Sequence, residues 1–271
     1  MAMIELTASM VRSFKSCPKK YFFEYIECLK PAESAEALVT GSSYHEYLEK
    51  LFRGESFDVV DLPSAMAEAF DRFIPWRNWE VRDVEKEFRV KLAPGIYLKG
   101  KIDALCGDGT PVEHKSSSTK PDEKYRARLF LDDQVSSYLL ALSLLRGEPV
   151  NRIVYTVCAK PKLLPSKKLE GDPEAQAREL LARQREWFDT EKVDCFTVVR
   201  ATQEIEDFKR ELVYLGRSLQ QGRKVFYRNP SCCSIMPCAY QSICQDYDPE
   251  CLVGFVKKER QCEELNGNFE W

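Results

Sequence analysis

Residues 96–117 read IYLKGKIDALCGDGTPVEHKSS, and this stretch decides the fold. Apolar and polar residues alternate on either side of Gly107-Asp108-Gly109, as in two strands joined by a tight turn. A hairpin centred on Asp108 pairs positions whose numbers sum to about 216. Asp103 then faces Glu113, with side chains about 5 Å apart at Cβ. Lys115 lies two residues beyond Glu113 and projects from the same face. Two carboxylates and a lysine therefore converge from adjacent strands.

Working outward, residues 84–92 (VEKEFRVKL) also alternate, with Pro94-Gly95 as the turn before residue 96, which completes a three-strand meander. A helix is predicted over residues 131–146, ended by Gly147, and a mostly apolar strand over 152–160 suits a sheet centre. Upstream, helices are predicted over 7–29 (Thr7 or Ser9 as cap), 41–52 (Ser42 or Ser43 near its start) and 62–74. Downstream, helices over 173–190 and 202–222 flank a short strand, Cys195 to Val199, and the last fifty residues read as irregular. The expected fold is α/β: a mixed central sheet built from a three-strand meander, a helix and a strand, wrapped by N- and C-terminal helices. We expect one domain over 1–271, with its catalytic core at 84–160.

The 271 residues carry a net charge of −3 with pI near 5.7, so no overall basic signature of nucleic-acid binding exists. A nuclease needs only a local basic groove, and carboxylates at a metal site lower the total charge. No apolar run is long enough to span a bilayer, and the N-terminus, MAMIELTASMVRSFKSC, lacks a basic leader followed by an apolar core. The expected location is the cytoplasm, with no membrane partner. Thiols stay reduced there, so eleven cysteines need an explanation other than disulfides. Cys28, Cys106, Cys158 and Cys195 are isolated and read as small buried apolar residues.

Paired hard oxygen ligands such as Asp103 and Glu113 suit Mg²⁺ or Mn²⁺. Lys115 would orient a water or stabilise charge on a phosphate. The alternative is a solvated surface of acidic and basic residues on exposed strands. Three features weigh against that alternative: His45 on an upstream helix, Gln134 and Tyr138 on one face of the helix after the hairpin, and the clustered cysteines. As a set, Asp103, the Glu113-His114-Lys115 triplet, His45 and the Gln134–Tyr138 pair resemble the RecB-type branch of the PD-(D/E)XK nucleases over residues 41–160. That resemblance implies a metal site of His45, Asp103, Glu113 and the carbonyl of His114. It also implies a catalytic group of Asp103, Glu113, Lys115, Gln134 and Tyr138. Glu87, in the preceding strand, is a further acidic candidate.

Cys232, Cys233, Cys238 and Cys244 fall within NPSCCSIMPCAYQSIC, with Cys17 far upstream. Soft thiolates grouped so closely suggest a metal or iron–sulfur site; zinc would favour two paired knuckles, a spacing not present here. RecB-like nucleases with an iron–sulfur staple, including AddB-type proteins and the CRISPR-associated exonucleases, place one cysteine before the core and three after it. By that resemblance Cys17, Cys233, Cys238 and Cys244 would hold a 4Fe-4S cluster, with Cys232 as substitute for Cys233. Residues 1–30 and 225–250 would form the cluster lobe, and Cys251 and Cys262 stand outside the pattern.

The expected function is a metal-dependent deoxyribonuclease, an exonuclease acting on DNA ends or single strands. Lys120, Tyr125, Arg126 and Arg128 are candidates to line a strand channel. No glycine-rich phosphate loop occurs, so a helicase or recombination partner would be a separate chain. The alternative is a non-catalytic nucleic-acid-binding protein that keeps the fold.

Overall fold

The computed structural model describes the chain except residues 1, 34–35, 223–224, 236–237, 246–251, 260, 264, 268 and 270. The N-terminal part comprises β1 (Ile4–Leu6), α1 (Ala8–Ser16), α2 (Pro18–Tyr21), β2 (Leu29–Pro31), α3 (Glu36–Phe52) and α4 (Leu62–Phe73). The meander is β3 (Asp83–Ala93), β4 (Ile96–Leu105) and β5 (Pro111–Ser117). After it come α5 (Glu123–Arg128), α6 (Asp133–Arg146), β6 (Arg152–Ala159), α7 (Pro173–Trp187), β7 (Val193–Val199) and α8 (Thr202–Gln220). The C-terminal part adds α9 (Pro230–Ile235), α10 (Gln241–Gln245) and β8 (Phe255–Lys257). This is the α/β fold expected, a mixed sheet flanked by helices.

Two glycine turns organise the sheet. Gly95 (φ 70°) and Gly109 (φ 79°) adopt the left-handed backbone that only glycine takes cheaply. Thr110 N–H donates to Asp108 Oδ1 at 2.8 Å and tightens the second turn. The resulting pairs are Ala104 with Val112 and Leu105 with Pro111, the register that the turn predicts, but the ladder stops there. The expected pairing of Asp103 with Glu113 does not form, because β5 leaves β4 and pairs Glu113 with Tyr155 of β6. Strand order is β1-β4-β5-β6-β7, with β3 also on β4.

The position of the site follows from how β4 is shared. β3 covers one edge of β4 along its whole length. On the other edge β1 pairs only with Ile96–Leu98 and β5 only with Ala104 and Leu105. Residues 99–103 therefore have no strand partner on that edge, because β1 ends at Leu6, where Thr7 caps α1, and β5 pairs onward with β6. A backbone left unpaired inside a protein must find other partners, and the side chains of the site supply them.

One face of the sheet packs on α1, α6 and α8, with Phe88, Leu98, Val157, Leu139, Leu142 and Leu212 in one core. The other packs on α3 and α4, with Tyr44, Leu48, Met66, Phe70 and Cys158 in a second. Among the described residues no helix is long and apolar enough to cross a membrane.

Several expected boundaries move. The single helix expected over 7–29 starts as read, with Thr7 Oγ1 accepting from Met10 N at 3.2 Å, but it breaks at Cys17 (φ −157°, ψ 109°). The cause is Pro18, which forces its predecessor into extended backbone and restarts the helix. The chain then passes through a π-helical turn, Phe22–Ile26. α3 begins at Glu36, so Ser42 and Ser43 lie inside it and cap nothing. The C-terminal region is less irregular than expected, since β8 pairs antiparallel with β2. Cys106 and Cys158 are buried as expected, whereas Cys28 and Cys195 are half-buried.

Candidate active and metal site

Asp103 is the first unpaired β4 residue beside Ala104, the point at which β4 and β5 part. Its carboxylate spans the gap: Oδ2 accepts the His114 backbone N–H at 2.8 Å. Strand alternation sends Glu113 and Lys115 to the face of α6, where Lys115 Nζ pairs with Glu113 Oε1 and donates to Gln134 Oε1 at 2.9 Å. Gln134 Nε2 donates to the Tyr138 hydroxyl at 2.8 Å. That hydroxyl donates in turn to the Lys101 carbonyl at 2.5 Å, one of the backbone groups left on the open edge of β4. A continuous chain of contacts thus joins Glu113, Lys115, Gln134 and Tyr138 to the strand that carries Asp103. From the opposite layer, α3 brings His45 Nδ1 to 3.6 Å from Asp103 Oδ1.

The His114 side chain points away from this group. Its Nδ1 lies 2.6 Å from Thr156 Oγ1, and its ring stacks on Phe52 at 5.3 Å between centroids. Burial, with the charges of His45 and Lys115, pushes the imidazole down to about 3, so it stays neutral. The ring packs between Phe52 and Phe70 in the α3–α4 core, with Nε2 buried and without a hydrogen-bond partner among the described residues, so the group that His114 turns toward Asp103 is its backbone.

The two carboxylates differ in acidity although both are buried. Burial opposes the charge on Asp103, yet His45 and Lys115 nearby hold this carboxyl well below its usual range. Burial and the adjacent Asp103 charge push Glu113 up to about 7, against the pull of Lys115. Environments that drive neighbouring carboxyls apart are characteristic of functional sites. Glu113 Oε2 is fully buried and accepts no hydrogen bond among the described residues, an expensive condition unless a cation shares the site.

A family model of the PD-(D/E)XK nuclease superfamily matches residues 5–80 and 62–245 of this sequence. The chain belongs to the PD-(D/E)XK nuclease superfamily. A solved structure from Eubacterium rectale, described as a "putative exonuclease", is similar at 12% identity over 86% of each chain, with TM-score 0.51. A phage-related exonuclease from Haemophilus somnus 129PT is similar at 11% identity, over 81% of this chain and 95% of that one, with TM-score 0.42. No curated protein matches the sequence.

PD-(D/E)XK nucleases use divalent metals, and the residues here fit one. The ligand atoms of His45, Glu85 and Asp103 lie within 4.8 Å of one another, and Glu113 adds the unpartnered buried oxygen. Glu85 is the member that sequence reasoning missed. It lies on β3 between Val84 and Lys86, which pair with Ala104 and Ile102 on either side of Asp103, and holds φ 52°; its carboxylate pairs with Lys101. Burial and the Asp103 charge raise its carboxyl. Hairpin arithmetic from Pro94-Gly95 points to Lys86 instead, since Ala93 pairs with Ile96. The irregularity between Lys91 and Ala93 shifts the ladder by one residue and brings Glu85 level with Asp103.

Glu87, the acidic residue singled out on this strand, serves another purpose. Its buried carboxylate accepts from Asn266 N at 2.5 Å and Gly267 N at 2.8 Å, which ties down the C-terminal segment. The expected strand channel is also thinned. Lys120 pairs with Glu191, Arg126 with Asp194, and Tyr125 is half-buried against the main core. Of the four, Arg128 is exposed and has no ion pair among the described residues.

Cys17, Cys233, Cys238 and Cys244 line one cavity of about 210 Å³ together with Lys20 and Arg228. Burial and the neighbouring thiols of Cys238, Cys17, Cys244 and Cys232 push the Cys233 thiol up. The Cys232 thiol is engaged elsewhere: it donates to the Ser16 carbonyl at 2.8 Å and accepts from Asn229 Nδ2 at 3.2 Å. Cys262 is buried with Met10 and Tyr21, and Cys251 lies outside the described residues.

Proposed function

We propose that this nuclease hydrolyses DNA phosphodiester bonds exonucleolytically with Mg²⁺ or Mn²⁺, using Asp103, Glu113 and Lys115. The observation that carries the reading is Glu113, a fully buried carboxylate with an unpartnered oxygen set between Asp103 and Lys115. Asp103, Glu113, His45, Glu85 and the His114 carbonyl would hold the cation. When bound, the cation supplies Lewis-acid polarisation of the scissile phosphate and a more acidic water.

The chain's own groups divide the remaining work. Burial, overcome by the charges of Glu113 and Asp103, leaves the Lys115 ammonium above its usual range. It therefore stays protonated and can meet the charge that develops on a phosphate oxygen. Gln134 fixes its direction by accepting one of its protons, and Tyr138 fixes Gln134. This positioning matters because an ammonium on a four-carbon stem is otherwise mobile. His45 holds Asp103 from the α3 side.

We further propose that Cys17, Cys233, Cys238 and Cys244 bind a 4Fe-4S cluster that ties residues 1–30 to 225–250. The shared cavity, lined also by Lys20 and Arg228, supports this reading, since cations favour thiolates.

The decisive experiment follows end-labelled single-stranded and duplex DNA with Mn²⁺, with excess chelator, and with the Asp103→Asn variant. Cleavage that depends on Mn²⁺ and vanishes in the variant is expected. Equal cleavage in all three arms would end the proposal.

A further inference from the structure

A tight turn, Leu129–Leu131, joins α5 to α6. It exposes two adjacent apolar side chains, Phe130 at 68% and Leu131 at 89%. The turn itself is well anchored. Leu129 is 5% exposed, and its carbonyl accepts from the buried Arg200 guanidinium, which also lies 5.9 Å from the Phe130 ring centroid. On the other side Asp132 caps α6, accepting from Gln134 N at 2.8 Å and Val135 N at 3.1 Å. Two apolar side chains are thus held out into solvent on a fixed support, where a mobile loop would let them fold back.

Location and charge say what such a support fits. Leu131 is three residues from Gln134, which holds Lys115, so the two lie at most about 11 Å apart along the backbone. That is roughly three base steps of a nucleic-acid strand at about 3.4 Å each. On the preceding α5, exposed Lys124 and Arg128 have no acidic partner among the described residues. An exposed ring and an adjoining aliphatic side chain beside uncommitted cations complement a strand whose bases are apolar plates and whose backbone is anionic.

We propose that Phe130 and Leu131 form a platform on which unpaired bases of the substrate strand stack next to the catalytic centre, so that this nuclease takes its substrate as a single strand. The proposal rests on the nuclease reading and specifies its substrate. Intact duplex offers no free base face, so the platform selects ends and single-stranded regions. Phe130 supplies the ring and Leu131 the adjoining apolar surface; Lys124 and Arg128 meet the phosphates.

The test measures binding separately from cleavage. Fluorescent oligothymidylate and a blunt hairpin duplex are titrated by anisotropy in excess chelator against three proteins: the parent, Phe130→Ala with Leu131→Ala, and Phe130→Trp. Because both side chains are exposed, the double variant is expected to melt with the parent. It should bind oligothymidylate about tenfold more weakly, within the range for losing stacked bases, while Phe130→Trp binds like the parent and the hairpin is bound equally by all three. Oligothymidylate binding by the double variant within about twofold of the parent would overturn the platform. An equal loss on the hairpin would overturn it too, as would a change in oligomeric state with nucleic-acid binding intact. The two readings fail separately. A parent that binds strands through Phe130 but cuts none with Mn²⁺ sinks the nuclease reading alone, and cleavage with binding indifferent to both residues sinks the platform alone.

Discussion

Lys115 and Glu113 depend on each other. Glu113 is fully buried with a raised carboxyl, and Lys115 is the cation in contact with it. Lys115→Ala is expected to slow cleavage by roughly 10²-fold or more, the scale for removing a group that stabilises developing charge. It should also leave Glu113 without its counter-charge, and breaking such a pair costs on the order of 3 kcal/mol. The pH dependence has a definite sign. A carboxyl raised above its unfolded value contributes stability fully below the ordinary carboxylate range and loses it as pH rises through the folded value. The variant should therefore melt close to the parent at acid pH and fall progressively below it on the alkaline side; thermal melts across that range check it. Metal binding runs the other way. Glu113 must lose its proton to become a ligand, so Mn²⁺ affinity should rise with pH up to about 7, where its carboxyl titrates. Calorimetry in buffers of different ionisation enthalpy should show about two protons released per ion at mildly acid pH, one from Glu113 and one from His45, whose imidazole is raised against the effect of burial by the Asp103 charge. Release of none would show that Glu113 binds no metal.

Within the elements, β3 departs most from simple strand behaviour. Glu85 holds φ 52° in the middle of a ladder, a conformation that costs a non-glycine residue of order 1–3 kcal/mol and that clusters at functional sites. Asparagine tolerates this backbone, whereas a β-branched residue does not. Glu85→Asn should therefore fold normally and bind Mn²⁺ about tenfold to a hundredfold more weakly, the scale for losing a supporting group at a metal site. Glu85→Val should lose the affinity and be destabilised as well. Unchanged Mn²⁺ affinity in the asparagine variant would remove Glu85 from the site. Gly100 has a related constraint, because an added Cβ would sit 2.7 Å from the Phe88 ring. A side chain there cannot fit without displacing a fully buried aromatic.

For the molecule as a whole, the cysteine cavity joins the two ends of the chain. Cys17 sits at the break between α1 and α2, and its cavity partners come from the segment around α9 and α10. If a cluster bridges them, its binding energy is folding energy. Cys17→Ser, purified without oxygen, should contain no iron and melt at least about 10 °C below the parent, at roughly 2–4 °C per kcal/mol. Cys233→Ser should also lose the iron. Cys232→Ser should retain it, because that thiol already bonds Ser16 and Asn229. Iron retained in Cys233→Ser and lost in Cys232→Ser would reverse the ligand assignment.

The sequence alone determined what depends on local periodicity and tight turns. Alternation over residues 84–117 with two glycine turns fixed the meander, and the turn at Asp108 fixed the β4–β5 register, because a two-sided strand cannot slip by one residue without turning its core face outward. The Gln134–Tyr138 spacing was legible because residues four apart share a helical face. What only the tertiary structure decided concerns contacts between distant segments. A one-residue irregularity in the first hairpin chose Glu85 over its neighbours to lie level with Asp103, and the C-terminal segment claimed Glu87. Arg126 and Lys120 were drawn into ion pairs with residues far along the chain. Pairings of this kind follow from packing between layers, and no period in the sequence encodes them.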